Sequence, residues 1–92
     1  MGAPLWGQNN PKLLQQTAES KQKASAYYHF ALGHLHAELA RSYRSQDDFQ
    51  KAVDHYRKAI EADPEAEFIV GELTDLLLQA NRWRDAVQEN EA

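Results

Sequence analysis

The sequence predicts an all-α fold of stacked helical hairpins, and three observations carry that prediction. Residues 47–63 read DDFQKAVDHYRKAIEAD, with Phe49, Ala52, Val53, Tyr56, Ala59 and Ile60 at steps of three, one, three, three and one. Such steps draw one apolar stripe along a helix of 3.6 residues per turn. The stripe alternates rings with methyl-sized side chains, which shapes it to dock closely on another helix. The chain also repeats itself at a lag of 34 residues. Leu35 aligns with Ile69, Glu38 with Glu72, Leu39 with Leu73, Tyr43 with Leu77, Phe49 with Trp83, Ala52 with Ala86 and Val53 with Val87. A period of this length marks stacked helical units.

The elements follow in order. Residues 1–10, MGAPLWGQNN, have two glycines, a proline and no period, and predict a flexible arm onto whose helices Leu5 and Trp6 fold back. Asn10-Pro11 is a cap-and-proline opening, but the stretch to Lys23 buries little beyond Leu13, Leu14 and Ala18, so 1–23 is read as arm and weak helical lead-in. From Ala24, Tyr28, Leu32, Leu35, Leu39 and Tyr43 recur at steps of four, three, four and four, predicting a helix over about 24–45. Gly33 in its middle costs about 1 kcal/mol relative to alanine, which implies close approach of a neighbouring helix. Asp47 or Asp48 is expected to cap a second helix over 48–62, and Asp63-Pro64 to open a third over 64–80. Asn81 is expected to turn the chain into a fourth helix, 82–91, carrying Trp83, Ala86 and Val87.

The aromatic at 49 followed by Ala52, the same pattern at Trp83 and Ala86, Ala59 and then Pro64 resemble the tetratricopeptide repeat family in its bacterial type. The resemblance covers about 33–92, two repeats with the second truncated. It implies a short right-handed α-solenoid, here with an elongated first helix, over 24–92. It departs from the family where Asp47 and Asn81 replace the glycine of the turn, both residue types that tolerate left-handed backbone. Leu39-Ala40 with Tyr43 keeps the family's spacing to Ala52, while Leu32-Gly33 with His36 stands seven residues early on the same helix.

Ninety-two residues make one small domain, near the lower limit for an unaided core. There is no cysteine, which excludes disulfides and thiolate metal sites, and no apolar run near the ~20 residues of a membrane helix. Residues 1–46 carry five basic and two acidic side chains, and 47–92 five and twelve. That asymmetry fits either a solvated acidic face or head-to-tail contacts. Ala-Pro-Leu-Trp-Gly-Gln looks like the tail of an export signal without its apolar region, so cytoplasm and periplasm both stay open.

Little here carries chemistry. His34 and His36 lie about 200° apart on a helix, and His29 and His36 share a face but stand ~10 Å apart, too far for one ion. No nucleophile triad, phosphate loop or metalloprotease motif occurs, and the basic residues are interspersed with acids, without a nucleic-acid footprint. The reading is therefore no enzyme, no cofactor, no metal and no nucleic acid.

What remains is a surface. The resemblance implies a concave groove lined by the first helix of each repeat, here His34, Ala37, Arg41, Arg44 and Ser45, then Phe68, Gly71, Asp75, Leu78 and Gln79. Without the family's Lys/Asn set the groove is not a carboxylate clamp. An apolar Phe68–Leu78 strip beside Arg41 and Arg44 fits an amphipathic or acidic segment of a protein or peptide, unless both simply pack on the long first helix. Phe49, Ala52, Tyr56, Trp83, Ala86 and Val87 are assigned to repeat packing or self-association. A last helix still apolar along one side implies a piece of a longer array, or a stack completed by a second copy, with exchange of that helix as one route. An accessory domain of a larger enzyme is the third alternative.

Overall fold

The computed structural model describes the backbone of residues 11–91 and the side chains of residues 11–84. It contains three helices, α1 (Pro11–Tyr43), α2 (Gln46–Ala62) and α3 (Glu67–Glu91), and no strand among the described residues. The fold is all-α: α1 and α2 form a hairpin, and α3 packs against α2. The arm at 1–10, with Asn10 as cap, lies outside the described residues.

The hairpin is held by rings set against small residues. α2 buries Phe49, Ala52, Val53, Tyr56 and Ala59, the stripe read from its spacing. α1 answers with Ala26, Gly33, Ala37 and Ala40. Gly33 makes the close approach possible, because a Cβ there would stand 2.5 Å from Cδ1 and 2.7 Å from Cε1 of Tyr56. α3 adds Ile69, Leu76 and Ala80 to the same core. The leucines and tyrosines that announce α1 in the sequence are on its other side, since Leu35 lies 200° round the helix from Gly33.

Besides the end of α1, at Tyr43 rather than 45, four boundaries differ from the sequence reading. α1 starts at Pro11 rather than 24, so the lead-in is a continuous extension of the helix, exposed except at Leu13 and Ala26 up to Tyr28. α2 starts at Gln46 and is capped by Ser45, not by Asp47 or Asp48; the Asp48 N–H donates to Ser45 Oγ at 3.1 Å. The two acids stand in the first turn, where they favour the positive end of the helix dipole. α3 starts at Glu67 rather than 64, because Asp63 closes α2, its N–H donating to the Ala59 carbonyl, and Asp63-Pro64 belongs to the turn.

The fourth difference is the largest. α3 runs unbroken through Asn81, so the helices expected at 64–80 and 82–91 are one. The working turn of the first hairpin explains why. It is made by Arg44, at φ 51°, and by the Ser45 cap, not by Asp47. At a lag of 34 these positions hold Leu78 and Gln79. Leucine is costly in left-handed backbone and glutamine does not cap as serine does, so nothing stops the helix.

Candidate groove between the first and third helices

Two side-chain contacts bring α3 alongside α1. Phe30 and Phe68 meet edge to face with centroids 5.2 Å apart, and Arg41 Nε donates to Gln79 Oε1 at 2.6 Å. Each pair is separated by the same offset along the chain, so the two helices run parallel. Of the expected groove residues, His34 is exposed on the Phe30 side, its ring 6.4 Å from that of Phe30. Arg41 is exposed and also bonds Glu38 at 2.7 Å. Phe68 and Asp75 are exposed on the side of α3 that carries Gln79. Leu78, although exposed, precedes Gln79 by one residue and so points about 100° away. Ala37 and Ser45 do not line a groove: the first is wholly buried under α2, and the second is the half-buried cap.

Beyond the Arg41–Gln79 bond the trough opens into a cavity of about 370 Å³. Its floor is apolar, from Ala40, Phe49, Leu76, Ala80 and Trp83, and Arg41, Arg44 and Arg82 stand around it. Trp83 is half-buried there, and Arg44 makes no ion pair among the described residues. The side chains of Ala86 and Val87 lie outside the described residues. The sequence reading placed Arg41 and Arg44 on this surface but gave Trp83 to a separate helix. The missing turn at 78–79 is the signal that brings Trp83 to the arginines.

A second constellation escaped the sequence reading. His55 of α2 inserts between His29 and His36 of α1. The Nδ1 atoms of His29 and His55 are 3.1 Å apart, one donating and one accepting, and the His36 and His55 rings stack at 5.8 Å. His36 Nδ1 donates to Asp48 Oδ1 at 2.9 Å. Burial, then the charges of His29 and Lys58, lower the His55 pKa, with Asp54 opposing. The hydrogen bond from His36, then that of Ser45, lowers the pKa of Asp48. Among the described residues no group of three or more His, Asp or Glu side chains is placed to hold a metal ion.

A depressed histidine pKa means that the unfolded chain binds the proton more readily, so stability should be full above about pH 6.5 and fall as pH drops below it. The depressed Asp48 adds a second loss only in the acidic carboxylate range. We expect the melting temperature, followed by circular dichroism, to decline between pH 7.5 and 5, and His55→Gln to flatten that decline.

The family model described as tetratricopeptide repeat matches residues 35–65, from the C-terminal end of α1 through α2 into the turn after it. Over that stretch, the end of α1 with α2, the chain is similar to a tetratricopeptide repeat. No curated protein matches the chain, and no solved structure does. Tetratricopeptide repeats are protein–protein interaction modules. No helix among the described residues is long and apolar enough to cross a membrane.

Proposed function

We propose that the chain is an interaction scaffold that holds a partner peptide or helix in the trough between α1 and α3. The observation that carries this reading is the cavity with an apolar floor and guanidinium groups at its edge. An apolar side chain of the partner fills the space over Phe49, Leu76 and Trp83, and a neighbouring carboxylate meets Arg44 and Arg41 in charge-assisted hydrogen bonds. Phe68 and Asp75 continue the surface along α3, with His34 opposite. In this reading α3 is the first helix of a second repeat whose hairpin is drawn out straight.

The test uses short amphipathic peptides with leucine or phenylalanine flanked by glutamate, and Trp83 fluorescence in a Trp6→Phe background as the signal. Arg41→Glu/Arg44→Glu should weaken binding by about tenfold or more, because like charges then oppose the partner. Equal binding by both proteins, at unchanged helicity, removes the groove.

A further inference from the structure

We propose that the outer face of α1 pairs with the same face of a second copy of this chain, the two helices running antiparallel. The face is the stripe of Tyr28, Leu32, Leu35, Leu39 and Tyr43. Tyr28 is 62% exposed, Leu35 51% and Tyr43 74%, while Leu32 and Leu39 are half-buried. It lies on the side of α1 away from both α2 and the trough, so the inference does not rest on the groove reading.

The internal repeat says what such a face does. At a lag of 34, Leu35, Leu39 and Ser42 align with Ile69, Leu73 and Leu76 of α3. On α3 that face is covered by α2, leaving Ile69 1% and Leu76 3% exposed. The same face of α1 has no helix over it among the described residues, although Leu35 and Leu39 match Ile69 and Leu73 in size.

The arrangement of the stripe selects the occupant. A two-fold interface needs a patch complementary to itself, and the outer four residues of this one are placed symmetrically, with Leu35 one residue from its mirror position at His36. Tyr28 and Tyr43, and Leu32 and Leu39, are placed symmetrically about the point between Leu35 and His36. In an antiparallel pair Tyr28 therefore meets Tyr43 of the second copy, Leu32 meets Leu39, and the two Leu35 side chains flank the axis. Steps of four, three and four keep the seam facing its partner as helices wind around each other. Ala24, Ser25 and Ser42 border the stripe, and from 24 to 43 it contains no Lys, Arg, Asp or Glu. Bringing two copies together thus opposes no like charges along the seam.

The chain has no cysteine, so introduced cysteines report contacts between copies cleanly. Sedimentation of the wild-type chain should give twice the 10.5-kDa mass, and Leu35→Glu should give the monomer with unchanged helicity, since Leu35 is exposed within one copy. Under mild oxidation Leu35→Cys should form disulfide dimers at least about tenfold faster than Arg57→Cys on the exposed side of α2, as expected from the effective concentration within a complex. A mixture of Tyr28→Cys and Tyr43→Cys chains should cross-link, and neither should do so alone. A monomeric wild type, a dimer that survives Leu35→Glu, or equal cross-linking by Leu35→Cys and Arg57→Cys would each overturn the proposal. Self-linking by Tyr28→Cys alone would overturn the antiparallel arrangement.

Discussion

Tyr56→Ala is expected to remove about 3–5 kcal/mol of stability, enough to leave much of the population of so small a domain unfolded. Tyr56 is the largest fully buried side chain among the described residues. Its ring fills the notch left by Gly33 on α1 and lies 5.8 Å from the ring of Phe30. Alanine would leave a ring-sized hole between two helices whose neighbouring core positions, Ala37, Ala52 and Ala59, are already wholly buried and too small to fill it. The hydroxyl is a separate matter. Tyr56 Oη is buried with no hydrogen-bond partner among the described residues, and burial pushes its pKa up. Removing an unpaired buried polar group costs little or helps, so Tyr56→Phe should match the wild type within about 1 kcal/mol or exceed it. Urea unfolding followed by circular dichroism measures both. A Tyr56→Phe protein as damaged as Tyr56→Ala would show that the hydroxyl, and not the ring, holds the hairpin.

The same substitution at two glycines should have opposite signs. Gly33→Ala gains about 1 kcal/mol of helix propensity, but its methyl group would overlap the Tyr56 ring, which is enclosed and has nowhere to rotate. Overpacking of this kind costs about 1–3 kcal/mol and at such short distances more, for an expected net loss of about 2 kcal/mol. Gly71, in the middle of α3, has nothing within 4 Å of where a Cβ would stand. Gly71→Ala should therefore keep the propensity gain and stabilise by up to about 1 kcal/mol. Urea midpoints of the two variants test the pair. Two gains would mean that α1 and α2 do not approach as closely as the Gly33–Tyr56 contact requires.

The two glycines also show how far the residues could be read. Gly33 was legible: a helix-weakening residue amid a strong apolar period has few explanations besides a neighbour's close approach, and Tyr56 is that neighbour. The packed face of α2 was legible too, since it has only one apolar stripe. α1 has two, and its more conspicuous one, Tyr28 to Tyr43, is not the one that meets α2. Period identifies a helix, whereas the choice between faces depends on the shape of what packs against it, and the rings of α2 accept only the small side. His55 was missed for a similar reason. Helical geometry separates His29 from His36, and only the pairing of α1 with α2 sets a third imidazole between them.

Helix content, the ring-and-methyl stripe of α2 and the 34-residue period follow from the residues alone, because they depend on neighbours close along one chain. The tertiary arrangement alone decided that Arg44 and Ser45 make the turn, and that Leu78 and Gln79 at the corresponding place do not. A turn forms only where backbone strain and a capping oxygen balance against the packing that folding back would bring. That balance left α3 unbroken, and so placed Trp83 beside the arginines.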